Sequence, residues 1–161
     1  MALSALVFNG SPNPTIGVEV ELQTINSENL QPVSGAPELL KEFKDVIWLK
    51  KELLNSIVEV NTDICKDVAQ VRDDLGGKLS KVIDFASTLR LELLSMGIHP
   101  LMNWKDASVT DDPRYNSFLD KMQWVIKNFI ITGLHVHIGV DSGEKAIAIT
   151  DGLTRYIPHF L

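Results

Sequence analysis

The chain has 161 residues, and at roughly 100–200 residues per domain that is one domain or part of a larger one. Apolar residues make up 45% and charged residues 22%, which excludes disorder, collagen and a disulfide scaffold. Lys and Arg total 15 against 21 Asp and Glu, a net charge of −6 with no basic run: a poor match for nucleic acid or a membrane surface, but compatible with phosphates met through divalent metals.

Residues 15–25 read as a strand. Ile16, Val18, Val20 and Leu22 alternate with Gly17, Glu19 and Glu21, which sends the two sets to opposite faces. Residues 26–35 are turn-rich. A short helix is expected to start near Pro37, with Leu39, Leu40, Phe43 and Ile47 as its buried stripe. Residues 56–62 read as a second strand, with Val58 and Val60 on one face and Glu59 and Asn61 on the other; Ile57 shares the polar face.

A long helical pattern runs from about residue 66 to 89, its apolar positions being Val68, Val71, Leu75, Leu79, Val82, Ala86 and Leu89. Gly76-Gly77 is expected to kink or split it. Residues 91–96 read as a strand leading to the loop Gly97-Ile98-His99-Pro100. Asp112-Pro113 is a helix start, with Phe118, Met122, Val125 and Phe129 as the stripe. Residues 130–140 read as a third strand. Ser142 caps a last helix carrying Ala146, Ile149, Leu153, Ile157 and Phe160. The sequence stops at Leu161 within this apolar pattern, so an incomplete domain, or one covered by a partner, is expected.

Cys65 is the single cysteine and has no internal disulfide partner; following Ile64, it is expected to be buried and not a nucleophile. A reducing compartment follows. The N-terminal Met-Ala-Leu-Ser-Ala-Leu-Val-Phe is too short for a signal core, and no apolar run approaches the ~20 residues that span a bilayer. The expectation is a soluble cytoplasmic protein.

Three strands carry the chemistry. Glu19 and Glu21 share one face of the first. Glu59 and Asn61 repeat the pattern on the second, and His135 and His137 on the third, against Leu134, Val136 and Ile138. Singly, each pair also fits the wet face of an ordinary antiparallel strand. Glu52 precedes Glu59 by seven, an odd spacing that puts it on the opposite face of a regular strand. It joins the same site only if it lies before the strand or across a bulge; otherwise it is an exposed charge beside Lys50 and Lys51. The apolar faces require cover, which the three helical stripes can give. The polar faces would then line one concave surface. Crowded carboxylates repel unless cations sit between them, and oxygen-rich sites with few histidines suit Mg²⁺ or Mn²⁺. Such ions are what ATP-dependent phosphoryl transfer requires. The sequence holds neither a Walker A loop nor G-x-G-x-x-G.

These residues resemble a known family. Gly17-Val-Glu-Val-Glu-Leu22 resembles the first metal strand of the glutamate–cysteine ligase type 2 family, the ATP-dependent carboxylate–amine ligases. Glu52-Leu-Leu-Asn-Ser-Ile-Val-Glu-Val-Asn-Thr62 resembles its second acidic block. Gly97-Ile-His-Pro100 with Trp104, and Asp112-Pro-Arg-Tyr115, resemble its middle. Thr132-Gly-Leu-His-Val-His-Ile-Gly139 resembles its His-x-His strand. Order and spacing agree along nearly the whole chain.

The resemblance implies an α+β fold, part of a glutamine-synthetase-like catalytic domain with a curved, mostly antiparallel sheet backed by helices. Residues 1–161 would be the N-terminal portion of one such domain. It implies that ATP phosphorylates a glutamate-like carboxylate and that a cysteine-like amine attacks the acyl phosphate. Carried over position by position, it makes Glu19, Glu21, Glu52, Glu59 and His135 the metal ligands, with Asn61 and His137 on substrate or phosphate. It settles the parity question in favour of Glu52 belonging to the site. Family members run to roughly twice this length, so a homodimer or a complementary C-terminal half is the expected partner, and the fragment alone is expected to be inactive. Ile98 takes a place where the family usually has a small polar residue.

Two other readings stand beside this one. His135-x-His137 followed by Asp141 mimics the two-histidine, one-carboxylate Fe(II) signature of small β-barrel oxygenases, against which the long helical stripes argue. A non-catalytic or split-enzyme subunit is the other.

Overall fold

The computed structural model describes residues 7–160. Its elements in chain order are β1 (Thr15–Asn26), α1 (Ala36–Glu42), β2 (Leu49–Lys51), β3 (Ile57–Asn61), α2 (Val68–Thr88), β4 (Leu91–Leu94), α3 (Pro113–Met122), α4 (Trp124–Lys127), β5 (Leu134–Gly139), α5 (Gly143–Leu153) and, after one 3₁₀ turn, α6 (Ile157–Phe160). The expectations placed on residues 1–6 and on Leu161 lie outside the described residues.

All strand pairings are antiparallel. β1 is the central strand: β3 lies on one side, with β2 beyond it, and the other side is shared by β5 and β4. β5 pairs with Thr15–Val20 of β1 and β4 with Gln23–Asn26. The fold is α+β.

The core follows from the alternation. Val20 and Leu22 of β1, Leu49 of β2, and Val58 and Val60 of β3 share one face. Against them pack Ala36 and Leu39 from α1 and Val82 and Ala86 from α2. Each large side chain buried there contributes about 1.5–3 kcal/mol. Val18 extends this layer to Cys65 and Val71. Cys65 is buried, as its apolar setting predicts. On the other face Ile57, alone among the charged and polar residues of its row, packs with Leu54 and Ala107.

A buried cation ties α2 to the sheet. Lys78 donates to the carbonyl of Asn61 at 3.1 Å, to Asp63 Oδ1 at 3.0 Å and to Asp74 Oδ2 at 2.7 Å. The end of β3 is thereby fixed to the middle of α2.

Several expectations are corrected. Gly76 and Gly77 do not split α2, which runs unbroken from Val68 to Thr88 because Leu75 and Leu79 pack on the core on either side of them. Val68 and Leu89, at the ends of the predicted stripe, are exposed. Ile47 is exposed too: α1 stops at Glu42, and Phe43, Val46 and Trp48 take the packing instead. The stripe Phe118–Met122–Val125–Phe129 is exposed. Gln123, at φ 50°, breaks the helix into α3 and α4 and rotates the faces, so that Tyr115 and Ile126 are buried instead. The third strand begins at Leu134, four residues later than predicted.

The helices do not cover every apolar face. Leu134, Val136 and Ile138 of β5 lie beside Val20, Val18 and Ile16, yet are 65%, 54% and 51% exposed. The layer that seals β1 and β3 ends before β5. No residue of α5 is buried. No helix among the described residues is long and apolar enough to cross a membrane.

Candidate metal centre

The strand register assembles the polar face in rows. Asn61, Glu19 and His135 are directly opposite one another across β3, β1 and β5. One step along, Lys50, Glu59 and Glu21 form the next row across β2, β3 and β1. His137 stands opposite Gly17. That position offers no side chain, so the ring has room to turn toward Glu19. His137 Nε2 lies 3.1 Å from Glu19 Oε2, and His135 Nδ1 lies 3.3 Å from the same oxygen. The hydrogen bond with His137 does most to hold the Glu19 carboxyl below the ordinary glutamate value; His135 and Lys50 act in the same direction, against burial.

Glu52 reaches the same face by a route that a single-strand reading does not give. It follows directly on β2, two residues after Lys50, and so inherits the parity of β2 rather than that of β3. Its Oε2 accepts the Leu53 N–H at 3.3 Å. Burial, reinforced by the charges of Glu21 and Glu59, pushes the Glu52 carboxyl above its ordinary value. Burial is the larger cause, and the neighbouring carboxylates add to it.

Two groups of ligand atoms result. Glu19, Glu59 and His135 offer one atom each, all within 4.8 Å of one another, and Glu21, Glu52 and Glu59 do the same. Glu59 belongs to both and is buried. It could therefore bridge two ions. A donor set of four carboxylates and one imidazole fits Mg²⁺ or Mn²⁺ better than a thiolate- or imidazole-selecting metal. Beside the second group lies a cleft of about 270 Å³, lined by Glu21, Glu52 and His135 together with the apolar Leu53, Ile57, Phe129 and Ile131.

Asn61 and His137 lie on this face but in neither group. Asn61 Nδ2 donates to Glu59 Oε1 at 2.7 Å and orients that carboxylate. Asp141, the carboxylate of the oxygenase-like reading, is paired with Lys145 at 2.7 Å and belongs to neither group among the described residues. The Fe(II) arrangement is not assembled.

Two participants escape a reading of the sequence. Gly133 and Glu21 bond reciprocally: the Gly133 N–H donates to Glu21 Oε2 at 2.8 Å, and the Glu21 N–H to the Gly133 carbonyl at 3.0 Å. A Cβ at Gly133 would lie 3.0 Å from His135 Nε2, so the small residue allows this close approach. Lys50 is the second. Its Nζ is 3.3 Å from Glu59 Oε1 and 4.0 Å from Glu19 Oε1. The only signal for it is its i, i+2 spacing from Glu52.

Comparison with known proteins gives the chain its family. The family described as Glutamate-cysteine ligase family 2 (GCS2) matches residues 15–161. A Gloeobacter violaceus protein, named provisionally as glutamate–cysteine ligase 2, is 38% identical over 158 residues, covering 96% of this chain and 42% of its own. A Thermobifida fusca protein of the same provisional name is 35% identical over 160 residues, covering 96% and 40%. The chain thus spans about two fifths of the length of these relatives. Among solved structures, a glutamate–cysteine ligase from Francisella tularensis in complex with AMP superposes with a TM-score of 0.57 at 15% identity, over 91% of this chain and 30% of that one. That likeness concerns the fold alone. On the match to its family and relatives, the chain belongs to glutamate–cysteine ligase family 2.

Proposed function

We propose that the polar sheet face is the metal- and nucleotide-binding part of an ATP-dependent carboxylate–amine ligase of the glutamate–cysteine ligase type. One observation carries the reading: Glu19, Glu21, Glu52, Glu59 and His135 gather on one face of the sheet in a chain of this family. Their oxygen-rich donor set supports Mg²⁺ or Mn²⁺ as the bound ions. When bound, such ions neutralise phosphate charge and orient the transferred group.

The chain's own residues have distinct tasks in this account. Glu59 bridges the two groups and is oriented by Asn61. The Glu19 carboxyl, held below its ordinary value chiefly by His137, offers a carboxylate to the ion. His137, outside both ligand groups, is left to contact substrate or phosphate. In the reaction, a glutamate-like carboxylate attacks the γ-phosphorus of ATP and releases ADP. A cysteine-like amine then displaces phosphate from the acyl phosphate, forming the amide. No residue of the chain serves as a covalent nucleophile.

A second reading concerns completeness. The relatives are more than twice as long, and the apolar face of β5 is bare. Both support a site finished by further polypeptide, in the same chain or as a separate C-terminal half. Phosphoryl transfer needs cationic groups around the phosphates. On the described face Lys50 contacts the first ligand group and the charge of Arg114 acts on Glu52, which falls short of a cluster of cations.

An assay of ADP release with ATP, Mg²⁺, glutamate and cysteine tests both readings. The 161-residue chain alone should show no appreciable turnover, and should gain it when the remaining part of a family member is supplied. Turnover of ~1–10³ s⁻¹ by the chain alone contradicts the incomplete-site reading. Equal binding of ATP with and without Mg²⁺ contradicts the metal-dependent one.

A further inference from the structure

The cation nearest the candidate ligands belongs to the chain itself. Lys50 Nζ is 3.3 Å from Glu59 Oε1 and 4.0 Å from Glu19 Oε1, the two carboxylates that with His135 form the first ligand group. Its position is set by register, because Lys50 stands directly opposite Glu59 on the neighbouring strand. The side chain is 52% exposed on a flexible stem, so it can leave without disturbing the core. Lys51, the next residue, is committed elsewhere: its Nζ is 2.5 Å from Asp112 Oδ2. The two lysines therefore have the same charge and adjacent positions, but only one touches the ligand group.

We infer that Lys50 is a built-in counter-ion of the carboxylate cluster, which a divalent ion must displace from Glu59 and Glu19 in order to bind. An ammonium and a metal ion cannot both take the same carboxylate oxygens at contact distance. Mutual repulsion then drives the lysine outward, toward the solvent side of the site. Lys50 would thus set the metal affinity, keeping it low, and limit repulsion within the cluster while no ion is bound. The inference rests on the reading of Glu19, Glu59 and His135 as metal ligands.

Mn²⁺ titration followed by electron paramagnetic resonance, on the full 161-residue chain without nucleotide, tests it. The Lys50→Met chain should bind Mn²⁺ more tightly, by about 5-fold if the displaced pair is at the upper end for exposed ion pairs. The gain should shrink as salt is raised, because screening weakens the competitor. Lys51→Met removes the same charge one residue away and should leave the affinity within about 2-fold of wild type, since its partner lies outside the ligand group. Glu59→Gln should abolish binding in either background. If Lys50→Met and wild type bind equally, while Glu59→Gln still abolishes binding, the ligand reading stands and the counter-ion role is overturned. Equal gains from Lys50→Met and Lys51→Met also overturn it, since net charge alone would then explain the effect. If Glu59→Gln leaves Mn²⁺ binding unchanged, or no chain binds Mn²⁺, the ligand reading itself fails and the role of Lys50 with it.

Discussion

Glu21 on β1 and Glu59 on β3 stand directly opposite each other, a register that sets two carboxylates side by side. Cross-strand like charges cost stability, by roughly 0.2–1 kcal/mol relative to a neutral pair. Glu52 adds a third carboxylate to the same group. The fold tolerates this crowding through Lys50 and Asn61 on Glu59 and the Gly133 N–H on Glu21. In the proposed function the crowding is useful, since the repulsion is relieved when divalent ions bind.

Glu52→Gln separates the two roles. The folded chain holds the Glu52 carboxyl above its ordinary value, so ionised Glu52 destabilises the fold at neutral pH. The amide keeps an oxygen for the Leu53 N–H and removes the charge. In the presence of a chelator, Glu52→Gln should melt at a higher temperature than wild type. With excess Mg²⁺ the order should narrow or reverse, because wild type alone gains from the ion. Thermal melts of both proteins under both conditions check this; a lower melting temperature for Glu52→Gln in chelator contradicts the crowding.

Gly76 and Gly77 lie in the interior of α2, where a methyl group on either would meet no atom within 4 Å, and neither has a positive φ. Each costs roughly 0.5–1 kcal/mol relative to alanine in a helix. Gly76→Ala and Gly77→Ala should each stabilise the chain by about that amount, and the pair should add. Urea denaturation gives the answer directly. Destabilisation by either change would mean that the helix meets a surface at this position that the structure does not contain.

Lys78 supplies a pH signature. Burial is the largest single influence on both Lys78 and Asp74. It is outweighed by their mutual hydrogen bond and the further bonds with Asp63, so Asp74 titrates below its ordinary value and Lys78 above its own. The contribution of Asp74 is present above its unfolded value and is lost as pH falls through its lower folded value. That of Lys78 is present below its unfolded value and is lost as pH rises through its higher folded value. Stability should therefore hold between about pH 4 and pH 10 with respect to this pair and fall outside that window. Lys78→Met should cost on the order of 1–3 kcal/mol and weaken the acid-side loss. Denaturation midpoints measured across pH on both proteins test this; an unchanged acid limb in Lys78→Met would rule the pair out as its source.

The strands that carry the site are legible because alternation is strong where one face is sealed. Val18, Val20 and Leu22 against Glu19 and Glu21 give the faces of β1 without any structure, as Val58 and Val60 do for β3. β2 is not legible, since Leu49-Lys50-Lys51 is too short to alternate. With β2 missing, neither the parity of Glu52 nor the position of Lys50 can be read from spacing; the resemblance to the family places Glu52 where spacing cannot. The stripe through Phe118, Met122, Val125 and Phe129 has helical spacing throughout, and nothing in it announces the left-handed turn at Gln123. Lys78 is hidden for another reason: its residue type suggests solvent, although its spacing, seven after Val71 and four before Val82, puts it on the buried stripe. Asp74, four residues earlier, is the matching hint of a partner. The backbone donor at Gly133 has no side chain to announce it.

The central claim is that divalent ions bind where Glu59 meets His135, and paramagnetic broadening tests it most directly. The chain has four histidines, at 99, 135, 137 and 159, whose imidazole protons can be followed by NMR. His99 is buried with Nδ1 accepting the Leu101 N–H, and His159 lies in α6 at the end of the described chain. Traces of Mn²⁺ should broaden His135 and His137 first, leave His99 and His159 sharp, and lose this selectivity in Glu59→Gln. Broadening that begins at His99 or His159, or that spares His135, would contradict the account.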